Sequence, residues 1–145
     1  MIILREIDQS NFNECMGLER KSQKYVGDAS YVLAEAYIYR QHSTAYGIYN
    51  DEQMVGLVIL RDRPTIQKYS FTNLFIADNY QNKGYAKETV KKIIEKFKVE
   101  GKADAINLCV HETNDIALKI YKDCGFREIK RATWDNSFIE CSMTI

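Results

Sequence analysis

Residues 71–97 read FTNLFIADNYQNKGYAKETVKKIIEKF. An apolar run ends at Ala77, and a compact turn, Gln81-Asn82-Lys83-Gly84-Tyr85-Ala86, follows it. Ala86, Val90, Ile93, Ile94 and Phe97 then recur on one side of a helix, with Lys87, Glu88, Lys91, Lys92, Glu95 and Lys96 on the other. The helix is expected to begin near Lys83 or Gly84. Its first turn leaves backbone N–H groups unpaired at the positive end of the helix dipole, which suits a phosphate. Gly84 lets the backbone come close, Ala86 keeps the next turn small, and Gln81 and Lys83 add a side-chain donor and a positive charge. The alternative is a plain strand-to-helix connection whose glycine serves only the turn, because one glycine is a weak phosphate signal.

Working outward, 145 residues suit one domain that folds without staples. Lys plus Arg and Asp plus Glu are equal at 20 each, so the overall charge points to neither nucleic acid nor an anionic membrane. Cys15, Cys109, Cys124 and Cys141 have no C-x-x-C spacing and sit mostly in apolar stretches, as reduced thiols do, and no metal site is expected. No basic-then-apolar leader opens the chain and no run is long enough to span a bilayer. A cytoplasmic protein is the expectation.

The remaining elements follow in order. Ile2 to Ile7 alternates as a first strand, and Asp8 to Ser10 offers a cap for a helix of about three turns carrying Phe12, Cys15, Met16 and Glu19. After Gly27-Asp28-Ala29-Ser30, Tyr31 to Arg40 reads as a second helix capped by Asp28 or Ser30. Thr44 to Tyr49, the turn Asn50-Asp51-Glu52-Gln53 and Met54 to Arg61 form a hairpin, ended by Pro64, and Lys68 to Ala77 is the strand leading into the turn. Gly101 stops the long helix, Ala105 to Val110 is a short buried strand, and Asn114 caps a helix that runs to Gly125. Phe126 to Thr133 and Phe138 to Ile145 close the chain as a hairpin. The fold class is therefore α+β, with a mixed sheet in one domain, residues 1–145.

Two segments resemble the GCN5-related N-acetyltransferase (GNAT) family. Its acetyl-CoA signature, Q/R-x-x-G-x-G/A at a strand-to-helix turn, stands here as Gln81-Asn82-Lys83-Gly84-Tyr85-Ala86. A second pattern stands as Asn114, Ala117, Tyr121, Gly125 and Phe126, with a strand between the two. The resemblance implies about seven strands flanked by about four helices, with the sheet splayed between the fourth and fifth strands. It also implies acetyl-CoA as co-substrate, its pyrophosphate on the amides of Gln81 to Ala86 with help from Lys87. The pantetheine arm would lie along Leu74 to Ala77, beside a bulge near Phe75, Ile76 and Ala77. Tyr121 takes the family's general-acid position near the sulfur, the Ile76 N–H is the expected oxyanion donor, and Asn114 is expected to bind the pantetheine arm, cap its helix, or both.

The family's acidic base has no counterpart, since Thr72 and Asn73 occupy the inward positions of that strand. A water chain ending on Glu35 or on backbone carbonyls, and His111 past the next strand, are the alternatives.

Within the family, Lys24-Tyr25-Val26, Glu35-Ala36-Tyr37 and Gly56-Leu57-Val58 look like small bacterial diamine and polyamine acetyltransferases. Between Glu6 and Glu35 six acidic residues face three basic ones, and tyrosines are frequent there, which suits a slender polycation. Glu19, Asp28 and Glu35 are the expected substrate carboxylates. A protein N-terminus or lysine is the runner-up acceptor and an aminoglycoside the third, while the competing class is a non-catalytic acetyl-CoA sensor. The C-terminal hairpin is an edge that relatives use for dimers, so a homodimer is a candidate assembly.

Overall fold

The computed structural model describes residues 1–145. Seven strands form one sheet: β1 (Ile2–Glu6), β2 (Ser43–Asn50), β3 (Gln53–Arg63), β4 (Lys68–Ile76), β5 (Ala105–His111), β6 (Arg127–Arg131) and β7 (Phe138–Thr144), in the spatial order β1-β2-β3-β4-β5-β7-β6. All neighbours are antiparallel except β4 and β5. Four helices complete it: α1 (Phe12–Met16), α2 (Ala29–Ile38), α3 (Tyr85–Glu100) and α4 (Asp115–Asp123).

The two faces of the sheet are buried by different helices. On one, Val90, Ile93, Ile94 and Phe97 of α3 pack on Val58, Leu60, Tyr69 and Phe71, with the Phe97 ring stacked on Tyr69 at a centroid distance of 4.0 Å. Each such side chain contributes on the order of 2 kcal/mol by leaving water. Leu118 and Tyr121 of α4 join the same core. On the other face, Val32 and Ala36 of α2 and Cys15 of α1 cover Leu57, Ile59 and Phe75. The α3 boundaries follow the two glycines: Gly84 precedes it at φ 80° and Gly101 ends it at φ 65°, donating its N–H to Phe97 O. Asn114 caps α4 by accepting the Ala117 N–H at 3.3 Å.

β4 and β5 are paired only at Tyr69 with Ile106 and Ser70 with Asn107, after which they diverge. The expected splay is therefore present. The bulge lies earlier than expected, at Asn73 and Leu74, not at Phe75 to Ala77. Leu57 pairs with Phe75 but Ile59 with Thr72, so Asn73 and Leu74 together oppose Val58. Asn73 takes φ 54°, a left-handed conformation that asparagine tolerates and the flanking Thr72 and Phe75 would not. The extra residue also switches faces: Phe71 points into the α3 core and Phe75, four residues on, into the α2 core.

Two other expectations are corrected. The first helix has five residues, not three turns: it closes at Gly17, and the segment beyond is irregular and tied to the end of β4. There Asp78 N–H donates to Glu19 O at 2.9 Å and Lys21 N–H to the Asp78 carboxylate at 2.6 Å. The β2–β3 turn is tighter than the four residues expected: Asn50 pairs with Gln53, and Asp51 adopts φ 54°, the hand that matches strand twist in a two-residue hairpin.

All four cysteines are free thiols, in unequal surroundings. Burial pushes Cys15 and Cys141 up to about 11, while Cys109 is exposed on β5. At neutral pH a maleimide should label Cys109 first and leave Cys15 and Cys141 unlabelled until the chain is unfolded in urea, as peptide mass mapping would read. Early labelling of Cys15 would contradict its place under α2.

Candidate functional site

The turn before α3 is a cradle of free backbone donors. The N–H groups of Asn82, Lys83, Gly84, Tyr85, Ala86 and Lys87 have no acceptor in the protein, the first helical bond there being Glu88 N–H to Gly84 O at 3.1 Å. Asn82 at φ 63° and Gly84 at φ 80° curve the chain so that successive amides turn outward, the geometry of an anion nest. A Cβ at Gly84 would meet nothing within 4 Å, so the space over the turn is open. The positive end of the 16-residue α3 lies beneath it. Lys87 holds the shared carboxylate of Asp123 at 3.4 Å, with Lys119 on the same oxygen at 3.1 Å. Tyr85 anchors the helix start to β2, its hydroxyl accepting from Asn50 at 2.9 Å.

Gln81 departs from the sequence reading. Its side-chain amide faces inward, donating to Ile76 O at 2.8 Å, and its backbone N–H donates to Asp78 O at 3.3 Å. The free donors therefore begin at Asn82, and Gln81 instead ties the end of β4 to the turn.

That bond also reports which way Ile76 faces. Ala77 N–H donates to Val55 O at 2.8 Å, so Ala77 faces β3, and in an antiparallel ladder the neighbouring Ile76 must direct its N–H and C=O to the other side. The other side is the gap toward β5. The Ile76 amide is thus placed at the wall of that gap. Gly56, opposite Ile76, allows the close approach: a Cβ there would lie 2.2 Å from Phe75 O.

Tyr121 of α4 sits across from β4. Its ring is T-shaped to Phe71 at 5.8 Å and to Phe126 at 6.0 Å, and its hydroxyl makes no hydrogen bond within the protein. Burial holds its acidity well below that of an ordinary tyrosine, so the phenol stays protonated at neutral pH.

On the α2 face, a cleft of about 580 Å³ lies between α1, the α1–α2 segment and the end of β4. Glu19 and Asp28 line it together with Phe75 and Ala77. Asp28 caps α2 through the Tyr31 N–H at 2.9 Å, whereas the exposed Glu19 carboxylate has neither hydrogen bond nor ion pair. Glu35 is elsewhere. Its carboxylate is held by Arg61 at 3.0 Å and by Asn73 at 2.6 Å, outside the cleft lining.

Three contributors were not legible in the sequence. Arg20 lies 4.0 Å over the Phe75 ring and donates to the carbonyls of Val26 and Gly27; burial lowers its basicity while Asp78 and Asp28 oppose that. Asp78 anchors the α1–α2 segment at one end. At the other, Tyr25 reaches Thr113 Oγ1 at 2.8 Å and packs its ring 5.7 Å from His111, so the segment bridges the diverging ends of β4 and β5. His111 Nδ1 accepts the Thr113 N–H at 3.2 Å. Nothing in local spacing signals these contacts, which join residues as many as 88 positions apart.

Comparison with known proteins meets this geometry. The model of the acetyltransferase (GNAT) family matches residues 4–126. The chain belongs to that family. As a GNAT protein it is an acetyl-CoA-dependent N-acetyltransferase. A curated relative, the uncharacterised N-acetyltransferase YvbK of Bacillus subtilis, is 29% identical over 117 residues, covering 77% of this chain and 72% of its own. Among solved structures, the spermidine N-acetyltransferase of Vibrio cholerae, in complex with CoA and spermine, superposes with a TM-score of 0.77 at 17% identity, over 99% of this chain and 95% of that one. The ribosomal-protein-S18-alanine N-acetyltransferase of Escherichia coli gives 0.75 at 14% identity, over 100% and 94%. At these identities the likeness establishes the shared fold.

The two glycines of this GNAT site should behave differently. Gly56→Ala should cost about 3 kcal/mol by forcing β3 from Phe75, whereas Gly84→Ala, in open space, should cost only about 1 kcal/mol of left-handed strain. Urea unfolding midpoints measure both; the reverse order would overturn the packing described for the end of β4.

Proposed function

We propose that this N-acetyltransferase modifies a primary amine of a slender polycation such as spermidine or spermine, by direct attack in a ternary complex. The observation that carries the reading is the free carboxylate of Glu19 beside Asp28, in a cleft whose wall is the Phe75–Ala77 end of β4. An ammonium group would be drawn there by charge. The similar Vibrio cholerae enzyme with spermine bound is consistent with it.

In this reading the amides of Asn82 to Lys87 receive the pyrophosphate of acetyl-CoA, and the backbone of β4 at Leu74 to Ala77 pairs with the pantetheine arm, which Asn114 and Ala117 flank from the start of α4. The Ile76 N–H stabilises the charge that develops on the thioester oxygen as the amine attacks. The C–S bond then breaks, and the buried, protonated Tyr121 hydroxyl gives its proton to the leaving sulfur. No carboxylate on β4 is placed to take the amine proton, so the amine enters as its neutral fraction, with water as the proton acceptor. Four free thiols suit a reducing, cytoplasmic setting, and the exposed outer strand β6 is the edge a homodimer would use. A peptide N-terminus is the second reading, favoured by the equally similar fold of the Escherichia coli alanine N-acetyltransferase.

Release of free CoA thiol from acetyl-CoA should be tested across spermidine, spermine, putrescine, a lysine peptide, a peptide with a free N-terminus and an aminoglycoside. Release should require a polyamine, and Glu19→Gln should raise KM for spermidine roughly fivefold, within the range of one exposed charge pair. Release with the free N-terminus alone would replace the polyamine by a protein acceptor. Separately, Tyr121→Phe should lower kcat by about 100-fold while acetyl-CoA affinity by calorimetry and thermal stability are unchanged, since the hydroxyl has no protein partner to lose. Undiminished turnover would remove the general-acid role.

A further inference from the structure

Glu35 is drawn toward the acceptor by sequence, but its contacts point to another task. Its Oε2 accepts a 2.6 Å bond from Asn73 Nδ2 and a 3.0 Å bond from Arg61 Nη2, and Arg61 in turn donates from Nε to Ser43 Oγ at 2.9 Å. The network joins α2, β2, β3 and β4. Its side chains are half-buried, at 21% exposure for Glu35 and 23% for Arg61, so the pair is partly shielded from water. Asn73 is the residue of β4 with the left-handed backbone, at the point where the register with β3 shifts. One carboxylate oxygen therefore grips the bulge itself, through a short charge-assisted bond.

The bulge decides which amide faces the cleft. Up to Thr72, partners on β3 and β4 sum to 131, as in Ile59 with Thr72; beyond it they sum to 132, as in Leu57 with Phe75. Were the first register to continue, Ile76 would stand opposite Val55 and its N–H would be donated to Val55 O, which now takes the Ala77 N–H. The N–H of Ala77 would then face the gap, one residue further toward the turn. Phe75 would also change faces, leaving the α2 core and the Arg20 guanidinium that lies on it.

We propose that Glu35 is a positioning residue of the acetyl transfer: through Asn73 it holds the β4 bulge in register, and so makes the Ile76 N–H the donor that faces the cleft. The proposal rests on the acetyl-CoA reading of the cleft and is independent of which amine is the acceptor. Asn73 suits the role twice over, because it tolerates positive φ and because its amide can reach the carboxylate. Arg61 holds the Glu35 carboxylate in place from the other side.

The test reads the amides directly. NMR-detected hydrogen exchange on the full chain should find Ala77 slow and Ile76 fast. In Glu35→Ala, and in Asn73→Val, which opposes positive φ and leaves the Glu35–Arg61 pair intact, the two should exchange roles. Glu35→Gln retains an oxygen for Asn73 and should keep the wild-type pattern. With an active amine, Glu35→Ala and Asn73→Val should each lower kcat at least tenfold with KM for the amine changed less than twofold, and the double variant should be no worse than either alone. Should Glu35→Ala fail to fold, Asn73→Val and Glu35→Gln carry the comparison. An unchanged Ile76–Ala77 pattern in Asn73→Val would overturn the proposal, as would a tenfold rise in amine KM with unchanged kcat in Glu35→Gln, the mark of a carboxylate that binds substrate. If every amine proves inactive, the exchange pattern still decides, so failure of the acceptor reading and of this one remain distinct.

Discussion

β4 and β5 share two residue pairs and then part. A parallel sheet that continued would bury both strands and leave no donor unpaired. Here the β4 backbone beyond Ser70 has a partner on one side alone, and the free side of that strand is what a linear ligand can occupy as though it were another strand. Everything else positions this opening. α3 and α2 clamp the two faces of the sheet on either side of it, α4 supplies Tyr121 from beyond it, and the α1–α2 segment ties its two lips through Asp78 and Tyr25.

The opening is sustained by local choices that would be unfavourable in a regular strand. Asn73 sits at positive φ, Gly56 has no Cβ where one would collide with Phe75 O, and Gln81 turns an amide inward to hold Ile76 O. Each disrupts regularity at one end of β4. Together they set the Ile76 amide toward the gap, beside a cradle of six further free donors. The helical cores supply the stability that tolerates them.

Much of this was legible in the chain. The one-sided apolar spacing from Ala86 to Phe97, the paired runs around Asn50 to Gln53 and the glycines at 84, 101 and 125 mark the elements because each acts locally, through period or φ. The turn and Tyr121 could be placed by the pattern of Gln81 to Ala86 and Asn114 to Phe126. What escaped depends on distance in space. Glu35 has the same carboxylate as Glu19, and only the fold shows one gripping Arg61 and Asn73 while the other faces a cleft. The bulge was expected within a few residues of its position, since a strand's sequence does not reveal where its partner's register slips. The overlong first helix fails for a similar reason: the segment after Gly17 is held by Asp78, 57 residues beyond Lys21.

The cradle of Asn82 to Lys87 has one more consequence. Taken as the pyrophosphate seat, it grips the part of the molecule that acetyl-CoA and CoA have in common, so it binds reactant and product alike and contributes nothing to the difference between them. Turnover would then follow the ratio of acetylated to free carrier in the cell more closely than the amount of either, coupling amine acetylation to the acyl charge of the coenzyme pool.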